Sequence, residues 1–200
     1  MRKIFTITIL FLISINFVFA QSQVFDNLKM ESEILSMERK YSIYLPPDYE
    51  TSSRSYPVLY LLHGLGDDHT GWVQFGEVKK IADESIINGD ATPMIIVMPD
   101  ANTGYVGYIN IPSENWLYED FFFNELMPHV ESKYRIKSEK RFRAISGLSM
   151  GGVGTLIYAL HRPDLFSAAA PLSPAIGPTT PKEFIAVSYT HLTLPTTGSV

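Results

Sequence analysis

Ser149 stands in Gly147-Leu148-Ser149-Met150-Gly151-Gly152, a G-x-S-x-G run that follows the apolar segment Phe142–Ile145 and precedes an apolar stretch reaching about Leu160. A strand before the motif and a helix after it form the sharp turn that lifts a serine hydroxyl out of the carboxyl edge of a sheet. Glycines on both flanks permit that turn and the close approach of helix to strand. The helix N-terminus adds favourable dipole potential for developing negative charge. A serine so placed is a candidate nucleophile toward an acyl carbon. A Gly-rich strand-to-helix turn also serves to bind phosphate through backbone N–H groups, but neither G-x-G-x-x-G nor G-x-x-x-x-G-K-S/T occurs in the chain. A second motif separates the two uses. His63-Gly64-Leu65-Gly66 directly follows the apolar run Pro57–Leu62, and its backbone N–H groups can supply half of an oxyanion hole. The amides of Leu65 and Met150 are the expected donors.

The elements that must position these groups are legible as an alternation. Ile34–Leu45 reads as extended, because Tyr41, Ile43 and Leu45 alternate with Lys40, Ser42 and Tyr44 before Pro46-Pro47 ends the run, and an edge strand is expected there. Pro57–Leu62, Pro93–Met98 and Phe142–Ile145 are short apolar runs of the kind buried on both faces of a parallel sheet. Helices are expected over Val73–Ile87 and Trp116–Tyr134, with a further strand over Phe166–Leu172. Strand and helix in turn predict right-handed βαβ units and a doubly wound α/β sheet in one domain. The loops after the strands ending near Leu62, Met98 and Ile145 then converge at the carboxyl ends, where such sheets place ligands. One of them, Asp100–Trp116, is long and rich in Tyr, Gly and Asn.

Composition narrows the partners. The 200 residues are 46% hydrophobic and 18% charged with no Cys, and 16 Lys+Arg against 21 Asp+Glu give a net charge of -5, which repels nucleic acid phosphates. Arg2 and Lys3 precede an apolar run from Ile4 to Phe19 that closes in Val18-Phe19-Ala20, a cleavable export signal over residues 1–20. Thr6, Thr8, Ser14 and Asn16 interrupt it, against its use as a lasting membrane anchor. The mature chain is expected to begin at Gln21, to carry 14 basic against 21 acidic residues, and to lie outside the cytoplasm, secreted or periplasmic, with no membrane span. At the other end, Val187–Thr196 is what an in-frame reading of a transposon-derived sequencing adapter yields, so residues 187–200 are expected to be a non-native tail on an incomplete domain over 21–186.

The run from Tyr41 to Pro174 carries YLPPDY, LYLLHGLGDD, MIIVMPDAN, ELMPHVESKYRI and SGLSMGGVGTLIYALHRPDLFSAAAPLSP. It resembles the α/β-hydrolase esterases of the esterase D and carbohydrate esterase family 1 group. The resemblance implies an α/β-hydrolase fold with Ser149 as nucleophile and the Leu65 and Met150 amides as oxyanion hole. It also implies carboxylic ester substrates, often acetyl or feruloyl groups on plant polysaccharide. An acyltransferase on the same scaffold, or a binding protein that keeps the fold without the chemistry, stays open. A glutathione thioester hydrolase is disfavoured by the signal segment.

The sequence departs from this pattern after Ser149. The acid and histidine of such a triad follow the serine in chain order, and only 51 residues remain. His161 lies 12 residues on, about 18 Å along the same helix, and Asp164 is read with Arg162-Pro163 as the helix terminator. Glu183 and His191 fit no triad position. Trp72, Tyr105 and Tyr108 are candidates to stack on a sugar or an aromatic acyl group, although a Trp serves buried packing equally well. His63, Asp67, Asp68 and His69 match no compact zinc spacing. No metal or cofactor is implied, and His63 is read as a residue that orders its loop.

Overall fold

The computed structural model describes residues 21–101 and 107–175. Tertiary pairing starts with a hairpin, β1 (Gln23–Ser32) antiparallel to β2 (Met37–Leu45). β2 is therefore not the edge that its alternation predicts. β1 is the edge, and its signal is blurred because the register shifts between Phe25 and Leu28, so its apolar residues fall out of step. The alternation within β2 does not separate solvent from core either: Tyr41, Ile43 and Tyr44 are all buried, the first two on one face and Tyr44 on the other.

β3 (Val58–Leu62) leads through a loop to α1 (Gly71–Gln74) and α2 (Val78–Ile87), then to β4 (Ile95–Pro99). The single helix expected over Val73–Ile87 is thus broken. Glu77 is left-handed at φ 46°, and Gly76 lies so close to Trp72 that a Cβ there would come within 2.6 Å of the indole. A small hairpin, β5 (Asn110–Ile111) with β6 (Trp116–Leu117), precedes a helical stretch made of α3 (Tyr118–Phe121), a π-helical segment (Phe122–Leu126) and α4 (Met127–Lys133). The widened ladder has a local cause: Pro128 has no N–H to donate, and the Met127 N–H just before it bonds to Phe122 C=O, five residues back.

β7 (Arg143–Leu148) runs into α5 (Met150–His161), followed by β8 (Ala168–Leu172). The sheet order is β1-β2-β4-β3-β7-β8, antiparallel across β1, β2 and β4 and parallel from β4 to β8. One face carries Tyr60, Val97 and Ile145 beneath Phe122, Val130 and Tyr158. The other carries Leu61, Ile96 and Met98 beneath Val78 and Ile86 of α2. Helices on both faces make this the doubly wound α/β architecture expected from the alternation. Along β8, Ala168, Ala169, Ala170 and Leu172 are exposed.

Candidate active site

Ser149 occupies the single residue between β7 and α5, at the carboxyl edge of the parallel strands. Its backbone has φ 54° and ψ -108°, a region costing a non-glycine residue about 1–3 kcal/mol. Neighbours hold it there. The Ser149 N–H donates to Leu172 C=O at 2.9 Å, while its C=O accepts the Val153 N–H at 3.0 Å and the Ala175 N–H at 3.3 Å. The flanking glycines are sterically required. A Cβ on Gly147 would lie 2.4 Å from Gly151 O, and one on Gly151 would lie 2.5 Å from Leu62 O. The helix thus packs against strand backbone at the turn, as the motif predicts.

Met150 is the first residue of α5, whose leading N–H groups have no intrahelical acceptor. Ser149 and Met150 line a cavity of about 250 Å³ together with Leu65, Tyr108 and Ile109. Val153, Gly154 and Ala175 complete its wall. Loops after β3, β4 and β7 therefore do meet, joined by Ala175 after β8, which the sequence did not single out. The lining is mostly apolar.

His63 orders this edge. It is buried, its Nδ1–H donates to Gly64 C=O at 2.8 Å, and its Nε2 accepts the Ala101 N–H at 2.8 Å. Because Nε2 must be the acceptor of a backbone N–H, the proton sits on Nδ1 and the ring is neutral. Burial holds its pKa below the ordinary histidine value, in the same sense. Behind it, Asp100 at the end of β4 faces the buried Arg39, with 3.4 Å between Oδ2 and the guanidinium. The Asp100 C=O accepts from Arg39 and, at 2.7 Å, from the Tyr118 hydroxyl.

The candidate stacking residues separate. Trp72 does not line this cavity, a correction to the expectation that it binds substrate. Its indole N–H donates to Leu62 C=O at 3.1 Å and its ring packs in the cluster under α2, because Gly76 lets the chain close over it. Tyr108 lines the cavity but commits its hydroxyl to His63, accepting the His63 N–H at 2.8 Å. Tyr105 lies outside the described residues, as do the signal segment, Glu183, His191 and the adapter-like tail. Trp116 is buried, with its N–H on Gly107 C=O.

His161 ends α5 and pairs with Glu119 at 2.7 Å, and Asp164 holds Arg162 through two bonds of 2.9 and 3.0 Å. Both are structural, as read from the sequence. Among the described residues no hydrogen bond joins a histidine to Ser149, and no group of three His, Cys, Asp or Glu side chains could hold a metal ion.

A family described as putative esterase matches residues 32–191. The chain belongs to this esterase family. A ferulic acid esterase of known structure is 39% identical, with a TM-score of 0.70 over 73% of this chain and 58% of its own. A carbohydrate esterase family 1 ferulic acid esterase from Anaeromyces mucronatus is 26% identical, with a TM-score of 0.66 over 78% of this chain and 60% of its own. The fold is that of the α/β-hydrolases. Among curated relatives, an endo-1,4-beta-xylanase/feruloyl esterase of Xylanibacter ruminicola is 33% identical over 68% of this chain and 19% of its own. An esterase of Mycobacterium tuberculosis is 37% identical over 64% of this chain and 27% of its own. The chain thus spans a fifth to a quarter of these curated relatives and somewhat over half of the solved structures. Within this chain, the features missed by sequence reasoning are the Arg39–Asp100 pair, the Tyr108–His63 contact and Gly107. Gly107 has φ +70°, and a Cβ on it would fall 2.9 Å from Met150 Cγ. Only the glycine content of the Asp100–Trp116 loop hinted at the last.

Proposed function

We propose that the complete protein is an exported serine carboxylic-ester hydrolase acting through an acyl-enzyme on acetyl or feruloyl esters of polysaccharide. The observation that carries this reading is Ser149, held at positive φ between β7 and α5 in one cavity with Leu65 and Met150. The apolar wall suits an aromatic or short acyl group, and the relatives named feruloyl or ferulic acid esterases support the same class.

In this mechanism Ser149 Oγ attacks the ester carbonyl carbon and gives its proton to a histidine base. The carbonyl electron pair moves onto oxygen, where the Leu65 and Met150 N–H groups stabilise it. Collapse expels the alcohol, which takes the proton, and water hydrolyses the acyl-enzyme by the same route. The histidine and its acid partner belong to sequence downstream of residue 186 in the uninterrupted gene.

The experiment is made on the complete gene product, with the present chain alongside. Ser149→Ala should lower turnover of p-nitrophenyl acetate by about 10⁴-fold or more and abolish labelling by a fluorophosphonate probe. His161→Ala should leave kcat unchanged within about twofold, and the 200-residue chain should be nearly inert. A fast esterase made of the 200-residue chain alone, with activity lost on His161→Ala, would overturn the reading.

A further inference from the structure

Of the two proposed oxyanion donors, Met150 is fixed at the start of α5 with its side chain packed against the core, whereas Leu65 stands on a loop and its side chain holds nothing in place. Leu65 is 75% exposed, and Gly64 and Gly66 beside it leave the backbone free to turn, with Gly66 at φ +82°. An oxyanion hole needs its two N–H groups within a few tenths of an ångström of the developing charge. The fixing must come from elsewhere.

It comes from the segment Gly107-Tyr108. The Tyr108 hydroxyl accepts the His63 N–H at 2.8 Å and donates to the His63 C=O at 3.2 Å, so one phenol grips both polar groups of one residue. His63 in turn bonds through Nδ1 to Gly64 C=O, adjacent to Leu65. On the other side, Gly107 lies against the Met150 side chain. Gly154, one turn along α5, is bare so that the Tyr108 ring can rest on it, since a Cβ there would fall 2.8 Å from Tyr108 Cβ. The Tyr158 hydroxyl, also from α5, donates to Tyr108 C=O at 2.6 Å. Tyr108 is 2% exposed, and burial pushes its phenol pKa well up, so the proton it donates is not lost in the working range. A phenol on a cavity wall is otherwise a substrate hydrogen-bonder. Here its hydrogen is already used.

We propose that Tyr108 is the positioning residue of the oxyanion hole, holding the His63–Leu65 loop at a fixed distance from the start of α5 so that the Leu65 and Met150 amides converge. This rests on the serine-esterase reading given above. Tyr108 touches no reacting atom in this role. It acts through His63 on one donor and through Gly107 and α5 on the other.

The test uses the complete gene product with p-nitrophenyl acetate and a fluorophosphonate probe, whose reaction with Ser149 places a phosphoryl oxygen in the same hole. Tyr108→Phe keeps the ring and removes only the clamp. It should lower kcat and the first-order inactivation rate constant together by about 10- to 100-fold, with KM within twofold and the final extent of labelling still one per protein. A merely structural role would instead reduce the labelled fraction and leave the rate constant of the folded enzyme unchanged. Tyr158→Phe, which releases only the Tyr108 carbonyl, should give a several-fold loss with the same split, and it decides the matter if Tyr108→Phe does not fold. Wild-type rate constants in the folded variant, with Ser149→Ala inert, would overturn the assignment of Tyr108 and leave the serine reading standing. Retained turnover and labelling in Ser149→Ala would overturn the serine reading, and the Tyr108 role with it.

Discussion

At its amino end β7 begins with Arg143, whose guanidinium makes two 2.7 Å bonds to the Glu131 carboxylate of α4, with both side chains only 11% exposed. Tyr60, from the middle of β3, adds its hydroxyl to the same carboxylate at 3.0 Å. Six residues on, the same strand runs out into Ser149, where the ties on the His63 loop are a histidine held uncharged, a phenol and backbone amides, with the charged Arg39–Asp100 pair standing behind them. The amino end is a charged clamp between helix and sheet, in ordinary backbone geometry. The carboxyl end is strained at Ser149 and packed glycine against backbone. An oxyanion site of the kind proposed works through oriented dipoles aimed at the developing charge. A joint meant only to hold uses a bidentate ion pair. On the proposed function, the two ends of one strand divide stability from chemistry.

The sharpest way to break this division is at the charged end. Glu131→Ala leaves Arg143 mostly buried without its partner and should destabilise the complete protein by about 3 kcal/mol, read by urea denaturation. The fluorophosphonate labelling rate of the folded enzyme should stay as it was. A slowed labelling rate would show that the two ends are not separate.

At the carboxyl end the expected cost in stability is smaller and the cost in chemistry larger. Gly151→Ala puts a methyl 2.5 Å from Leu62 O and 2.7 Å from His63 O. The turn must open, destabilising by about 2 kcal/mol and abolishing labelling of Ser149. Calorimetry and the probe together check it, and normal labelling in Gly151→Ala would remove the steric reading of the turn.

The smallest effect is in pH dependence, and its two parts have different positions. Burial would raise the Glu131 pKa, but the hydrogen bonds led by Arg143 prevail and hold it below the ordinary 4.5. Its contribution to stability is present above that value and is lost as pH falls through the lower folded-state pKa. His63 is depressed by burial from an ordinary 6.5. Below about that pH the unfolded chain takes up a proton that the fold refuses, so stability also declines as pH falls, starting higher. The melting temperature should descend in two steps from pH 8, a shallow one below 6.5 and a second below 4.5. Glu131→Gln should flatten only the lower step. Loss of the upper step in that variant would show that the ends are coupled.

The sequence reading held best where local pattern and packing agree. The central strands are apolar runs because both faces are covered, so Leu62, Met98 and Ile145 lie in strands as expected, with ends displaced by a few residues. The reading failed where a distant residue decides. At Phe75-Gly76-Glu77 the glycine is a local breaker signal that the hydrophobic period overrode, and the structure gives its reason in the Trp72 ring folded back over Gly76. The edge strand β1 escaped notice because a register shift scrambles its period. Trp72 was a candidate for stacking only because residue type does not tell which side of a sheet an indole will enter.

The motif around Ser149 was determined by the sequence alone, since glycines at 147 and 151 are needed for a turn that their immediate neighbours make. The alternation of strands and helices, and hence the fold class, was determined in the same way, because hydrophobic period is a local property. Tertiary structure alone decided that Tyr108 spends its hydroxyl on His63, 45 residues away, and that Arg39 meets Asp100 across the sheet. Such pairings depend on strand order and on how loops cross the carboxyl edge. Residue type and spacing carry no record of either.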